Sequence, residues 1–281
     1  MVDMGDLFEA NRAALFGVAY RMLGTRADAE DVLQEAWLRW RRADPDGVAN
    51  PRAYLFRLVA NEAIDQLRRA RARREEYVGP WLPEPILGDA TERTELAESA
   101  SVGLLVVLET LTPDERVVFV LHEAFEFSHA EIAAMLGRGE RAVRQLAYRA
   151  RQHVRTRRPR REPADGEHRE LTERFVAAAV DGDIDGLLGL LAPDAVLRAD
   201  SNGRRETPRE PMHGAEEIAR WFRLAAPFWP ERLAVRVSAV NGGPGALVLG
   251  GDAPFLVFAL DVDERERVTA VYAVLSPEKL P

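Results

Sequence analysis

Apolar positions recur at helical spacing through the first 74 residues and change to an alternating, strand-like pattern only in the last third of the chain. Leu7, Phe8, Ala14, Leu15, Val18, Ala19 and Met22 mark one face of a first helix, and Gly24 stops it. A second helix has an acidic start at Asp28, Glu30 and Asp31 and an apolar stripe at Val32, Leu33, Ala36, Trp37 and Trp40. Acids suit a first turn because they meet the positive end of the helix macrodipole, but here they also leave a helix with one greasy face and one acidic face. Asp44-Pro45-Asp46-Gly47 marks a turn. Pro51 then opens a third helix whose buried side is Tyr54, Leu55, Leu58, Val59, Ala63, Ile64 and Leu67. That helix ends in Arg68, Arg69, Arg71, Arg73 and Arg74, a cluster that suits a helix C-terminus and equally suits a phosphate backbone.

Residues 79–89 carry three prolines and cannot be helical, so they predict an extended linker. A pure spacer rarely carries Trp81, Leu82, Ile86 and Leu87, because exposing that much apolar surface costs solubility; the segment is expected to lie against a partner surface. A helix is predicted over 92–111, and Leu111-Thr112-Pro113-Asp114-Glu115 starts another, with Thr112 as N-cap and Pro113 in the first turn. Residues 128–153 have helix-turn-helix form. Ser128 caps a short helix with Ile132, Ala133 and Leu136 inside, Gly137-Arg138-Gly139 supplies the tight turn, and Glu140 opens the second helix. With Val143, Leu146 and Ala150 facing the core, Arg141, Arg144, Gln145, Tyr148 and Arg149 lie on or beside the exposed side, a donor-rich surface that suits base edges and phosphates and is also compatible with simple solubility.

Arg155 to Arg161, with Pro159 and Pro163, reads as a basic junction. Beyond it, residues 168–192 predict one or two amphipathic helices broken at Gly182-Asp183. Strands are predicted at 195–200, 233–240, 246–250, 255–262 and 268–275, with a helix at 215–223. Helices followed by a run of strands indicate an α+β domain with helices covering one face of a curved sheet.

Composition sharpens this division. At 281 residues the chain is too long for one ordinary core. Net charge is −8, yet residues 112–161 hold 11 Arg against 6 Asp plus Glu, while residues 162–281 hold 13 Lys plus Arg against 21. An acidic total therefore leaves nucleic-acid binding open, because the local field decides it. With no cysteine there is neither a disulfide nor thiolate metal ligation, in keeping with a reducing cytosol. No apolar run approaches the length of a membrane span and no secretory signal is visible, so a cytoplasmic protein without membrane partners is expected.

The run Leu23-Gly24-x-x-x-Asp28-Ala29-Glu30-Asp31-Val32-x-Gln34-Glu35 resembles the signature of the extracytoplasmic-function group of bacterial RNA polymerase sigma factors. The resemblance implies that this acidic helix docks on the clamp coiled coil of the polymerase largest subunit through Asp28, Glu30, Asp31, Gln34 and Glu35. Residues 51–69 resemble the family segment that melts and captures the minus-ten promoter element, implying DNA contacts from Asn61, Asp65 and Arg68, with Arg69, Arg71, Arg73 and Arg74 on the backbone. The helix-turn-helix resembles the reader of the minus-thirty-five element, implying DNA contacts from Arg138, Arg141, Arg144, Gln145, Tyr148 and Arg149. Two small readers on a flexible linker suit two DNA sites more than a helical turn apart. Asp65 could instead serve as an intrahelical partner of Arg68 or Arg69.

Residues 175–191 resemble the first helices of a SnoaL-like domain of the nuclear-transport-factor-2-like cone fold. Fused behind a sigma core, such a domain is similar to the sigma-factor-J-like subgroup. Three linear marks of that subgroup are present: Trp81-Leu82-Pro83-Glu84-Pro85 in the linker, a turn at Asn241-Gly242-Gly243, and a tail Ser276-Pro277-Glu278-Lys279-Leu280. The turn lacks the acid and lysine of the usual Asp-Gly-Gly-Gly-Lys, and the tail has Ser and Glu where Asn and Asp are usual, so the salt bridges of those positions do not carry over by resemblance.

The expected organisation is multidomain, with two all-α sigma domains and a C-terminal α+β SnoaL-like cone. Residues 1–76 form the region for core polymerase and the minus-ten element, 77–95 the linker, 96–158 the helix-turn-helix module and 165–281 the SnoaL-like domain. The expected function is a sigma factor that directs core RNA polymerase to promoter DNA, aids opening, and is regulated in cis by its last domain, without cofactor or catalysis. Opening can be driven by binding alone, since captured bases and phosphates offset the few kcal/mol of unstacking. The rival reading is a small-molecule-binding or enzymatic C-terminal pocket lined by Asp200, His213, Trp221, Trp229 and Tyr272, with His213 supplying the one imidazole among them. An ordinary repressor-type DNA-binding protein would explain the helix-turn-helix but leave the acidic helix and residues 51–74 without purpose.

Overall fold

A computed structural model describes residues 4–43, 48–74, 76–88, 100–157, 167–203 and 207–281. The turn expected at 44–47, residues 89–99 and the junction at 158–161 lie outside the described residues, as do the side chains of Arg73 and Arg74. The chain divides into two units, one of residues 1–76 and 104–157 and one of residues 77–103 and 158–281.

The first unit is all helical. Helix α1 (Met4–Leu23) ends where Gly24 takes a φ of 79°, a left-handed conformation that side chains resist, and donates its N–H to the Tyr20 carbonyl. Thr25 then caps α2 (Arg26–Trp40) by accepting from the Asp28 N–H, and α3 (Pro51–Arg74) follows. The expected apolar faces are buried: Leu15, Val18, Met22, Val32, Leu33, Leu55, Val59 and Leu67 meet in one core, with the Trp40 indole N–H donating to the Met4 carbonyl.

Helix α4 runs over Val102–Glu109. Of the helix expected over 92–111, residues 92–99 lie outside the described residues, Ala100 and Ser101 are not helical, and Ser101 is a residue type favoured just ahead of a helix. Helices α5 (Pro113–Glu123), α6 (His129–Leu136) and α7 (Glu140–Arg157) complete the unit. Thr112 with Glu115 and Ser128 with Glu131 form complete capping boxes. Gly137, at φ 62°, ends α6 and makes the turn of the helix-turn-helix.

The two expected sigma modules pack on each other within this unit, a departure from readers spaced by a flexible linker. Phe56 of α3 meets Phe125 and Phe127 edge-on at 5.4 and 4.9 Å. Arg116 of α5 is fully buried, donating from Nε to the Arg21 carbonyl at 2.8 Å and pairing with Glu109. The buried guanidinium has its charge met by Glu109 and donates from Nε and Nη1, while Nη2 is left without a hydrogen-bond partner among the described residues.

The second unit is α+β. It comprises β1 (Leu87–Gly88), α8 (Glu167–Asp181), α9 (Ile184–Leu190), β2 (Leu191–Asp200), β3 (Met212–His213), α10 (Ala215–Ala225), β4 (Leu233–Val237), β5 (Ala239–Val240), β6 (Gly245–Gly250), β7 (Ala253–Val262) and β8 (Val268–Val274). The main sheet has the order β3-β2-β8-β7-β6-β4, antiparallel except for the parallel pair β2 and β8. Strand β2 starts four residues earlier than expected and carries Pro193 where its register with β8 shifts, the kind of irregularity that excuses a missing N–H. Helices α8 and α10 cover the sheet through Phe175, Phe222 and Phe258, three fully buried rings with centroids 5.8 to 6.0 Å apart.

Candidate functional site

The acidic face of α2 is built from the first-turn carboxylates. Asp28 accepts from its own cap, Thr25 Oγ1 at 2.6 Å, and from Gln66 Nε2 of α3 at 3.2 Å, which fixes its direction. Glu30 pairs with Arg12 at 2.6 Å and Glu35 with Arg39 at 3.1 Å, while Asp31 and Gln34 are exposed. Surface pairs of this kind are worth little and exchange easily, so the face stays available to a basic partner.

On α3, Asn61 is exposed, and Asp65 holds Arg68 at 3.2 Å, the intrahelical pairing weighed above. Arg69 pairs with Glu62. Arg71, expected on the DNA backbone, is half-buried here and donates to the Leu111 and Glu109 carbonyls. Burial lowers its pKa, an effect that nearby Glu109 counters. On α7, Arg141, Arg144, Gln145, Tyr148 and Arg149 lie exposed on one side, and Val143, Leu146, Ala147 and Ala150 are buried on the other. Arg144 pairs with Glu140, Arg149 with Glu115, and Arg138 with Asp114 at 2.8 Å. Asp114 also reaches Arg68 at 3.7 Å, so one carboxylate stands between a candidate minus-ten residue and a candidate minus-thirty-five residue. Sequence reasoning missed both Asp114 and Arg116 because each acts through a partner from another helix.

In the second unit the linker is held along its whole described length. Asp200, fully buried at the end of β2, accepts from Tyr77 Oη at 2.5 Å, from the Leu82 N–H at 2.8 Å and from Lys279 Nζ at 2.7 Å. Lys279 also donates to the Leu82 carbonyl at 2.7 Å, and its ammonium lies over the rings of Trp81 and Tyr77, 4.2 and 4.8 Å from their centroids. A buried pair normally costs several kcal/mol of desolvation per ion, and here hydrogen bonds and ring faces offset that cost. Burial, reinforced by the bond to Asp200, pushes the Tyr77 hydroxyl pKa far up, so it stays a donor at all ordinary pH.

Further along, Leu82, Pro83, Pro85 and Ile86 are buried and Glu84 half-buried. Ile86 and Asn241 bond reciprocally: the Ile86 N–H donates to Asn241 Oδ1 at 3.0 Å and the Asn241 N–H to the Ile86 carbonyl at 2.8 Å. Linker strand β1 adds to β5 with Leu87 opposite Val240, and Ser238 Oγ donates to the Gly88 carbonyl. The chain thus uses strand addition for affinity and a buried ion pair for register. Asn241 at φ 52° and Gly242 at φ 74° form the turn, tied by mutual bonds between Val240 and Gly243. The three linear marks converge here: linker, turn and tail. Asn241, at a substituted position of the turn, still supplies an amide oxygen, and the retained Lys279 makes the tail's ion pair. Ser276 is buried, Pro277 and Glu278 are exposed and Leu280 is partly buried.

The residues named for a catalytic pocket do not converge. Trp221 and Trp229 line a cavity of about 890 Å³. Asp200 is occupied with the linker, His213 is exposed on the short strand β3, and Tyr272 is buried on β8 donating to Asp261 at 2.7 Å. Burial with that neighbouring carboxylate raises the Tyr272 pKa well above its usual value. No cluster able to hold a metal is found, and no helix is long and apolar enough to cross a membrane, among the described residues.

Comparison with known proteins fits this architecture. The model of sigma-70 region 2 matches residues 7–73, that of sigma-70 region 4 matches residues 102–154, and that of the SnoaL-like domain matches residues 172–257. The ECF RNA polymerase sigma factor SigJ of Mycobacterium tuberculosis is 44% identical over 252 residues, covering 86% of this chain and 80% of that protein. The probable ECF RNA polymerase sigma factor SigI of the same species is 30% identical over 282 residues, covering 97% and 93%. The crystal structure of M. tuberculosis SigJ superposes with a TM-score of 0.76 at 36% identity, covering 98% of this chain and 97% of that one. Two sigma regions in order, a SnoaL-like domain behind them and end-to-end similarity to such relatives place the chain in the ECF family of RNA polymerase sigma factors.

Proposed function

We propose that the protein binds core RNA polymerase through α2, directs it to promoters through α3 and α7, and sets their joint use through the hold of its SnoaL-like domain on the linker. The observation that carries the last step is the fivefold engagement of Tyr77, Trp81 and Leu82 by Asp200 and Lys279. A linker seated in this way has already lost its conformational freedom, whereas a loose one must lose about 1–2 kcal/mol per residue when both promoter elements are engaged. No covalent step is required for any of this.

Removing one partner of a buried ion pair typically costs about 3–5 kcal/mol, because the other charge is stranded. Lys279→Met should therefore release the linker, seen as faster hydrogen exchange at the Leu82 amide, and lower promoter-dependent transcription by reconstituted holoenzyme by roughly tenfold or more. Unchanged transcript yield in a variant whose Leu82 amide has become exchange-labile would overturn the regulatory part of this reading.

A further inference from the structure

The latch leaves one feature of the second unit without a task. The cavity of about 890 Å³ falls in the range of small-molecule sites. Three of the six large apolar side chains exposed among the described residues, Val78, Leu224 and Phe228, line this one cavity. Phe228 is 81% exposed and Leu224 66% exposed, so neither is needed by the core, which Phe175, Phe222 and Phe258 fill behind them. Apolar side chains gathered at a concavity without packing duty mark a binding surface. Trp221 and Trp229 supply aromatic walls, and Arg209 is the one charged residue lining it among the described residues.

The wall is not made by the SnoaL-like domain alone. Val78 and Gly79 of the linker, separated from Trp81 by Pro80 alone, form part of it. Val78 sits tightly on the loop at Gly203, where an added Cβ would lie 3.0 Å from Val78 Cγ1, and Gly203 holds a φ of 69°. A molecule filling this space touches Val78 only while the linker is seated. It therefore binds the latched state better, and its binding stabilises that state by the same factor.

We propose that this cavity takes a flat, largely apolar small molecule with one anionic end, and that the linker reads its presence through Val78 and Gly79. Any effect on transcription rests on the function proposed above, whereas binding and coupling can be measured without polymerase. 1-Anilinonaphthalene-8-sulfonate has this chemistry and serves as the probe, titrated into the full chain. The expected result is one saturable site with energy transfer from tryptophan. Its affinity should fall roughly tenfold in Phe228→Ser and in Leu224→Ser, whose exposed side chains can be removed without disturbing the fold. It should also fall severalfold in Lys279→Met, and saturating probe should slow exchange of the Leu82 amide in the unaltered chain. Equal affinity in the unaltered chain and both serine variants, or the absence of saturable binding, overturns the site. Binding that is indifferent to Lys279→Met and leaves Leu82 exchange unchanged overturns the coupling. A cavity that behaves as expected while ligand leaves transcription untouched would count against the proposed function instead.

Discussion

Glu115 shows how a single side chain ties local structure to the surface used by a neighbouring helix. Burial by itself would raise its pKa. The hydrogen bonds from the Thr112 hydroxyl and N–H, together with Arg149, outweigh this and hold the carboxyl below its usual value of 4.5. A folded-state value below the unfolded one means that the unfolded chain binds the proton more readily. The stabilisation is therefore complete above about pH 4.5 and disappears as pH falls through the lower, folded-state value. Glu115→Gln keeps a side chain able to close the capping box but removes the charge. It should cost up to about 1 kcal/mol at neutral pH and flatten the acid limb of a denaturation series recorded between pH 6 and pH 3. An acid limb as steep as that of the unaltered chain would show that other carboxylates govern it.

At the scale of elements, what was legible in the sequence was what neighbours along the chain decide. Thr25, Thr112 and Ser128 cap helices where their hydroxyls can reach an N–H three residues on, and Gly24 and Gly137 end them where a left-handed residue is needed. Periodicity found the buried faces of α2, α3 and α7 because each buries one side along its length, whereas α1 is buried all round from Leu15 to Tyr20, so Phe16 and Tyr20 escaped the pattern. The latch was legible only as three separate marks. Nothing in the periodicity pairs Asp200 with Tyr77 or with Lys279, which lie 123 and 79 residues away, and Asp200 drew attention for a pocket it does not line. The parallel pairing of β2 with β8 was equally hidden, since it joins strands separated by most of the domain. Two predictions belong to single helices. Reversing Asp28, Glu30 and Asp31 to Lys should abolish co-purification with core polymerase while the far-ultraviolet circular dichroism stays helical, because these side chains are at or near the surface. Arg141→Ala should cost about 1–3 kcal/mol of discrimination if it meets a base edge, relaxing choice at one promoter position without loss of core binding. A uniform weakening across all promoter variants would instead make Arg141 a phosphate contact.

At the scale of the whole molecule, the packing within the helical unit bears on how two promoter elements are engaged. On the function proposed above, contacting two DNA sites more than a helical turn apart requires the readers to separate, and the arrangement held by Arg116, Phe56 and Asp114 would then be a closed state that competes with binding. Asp114 occupies Arg68 and Arg138 as a phosphate would, from the N-terminal turn of α5. Only the pair with Arg68 bridges the two readers, and a partly exposed pair is worth about 0.2–1 kcal/mol, so Asp114→Asn should shift the balance toward the open state by up to about fivefold while preserving a side chain suited to a helix start. Apparent affinity for promoter DNA is reduced by the fraction of molecules that are closed, and it should rise by a similar factor. The absence of native cysteine makes the test clean: Glu9→Cys and Arg155→Cys, both at exposed positions, accept a donor and an acceptor dye without competing thiols. Asp114→Asn should enrich the low-transfer population in the free protein and tighten promoter binding of the holoenzyme in parallel. If the transfer distribution moves but promoter affinity does not, the closed state is not what limits DNA binding; if neither moves, Asp114 does not hold the readers together.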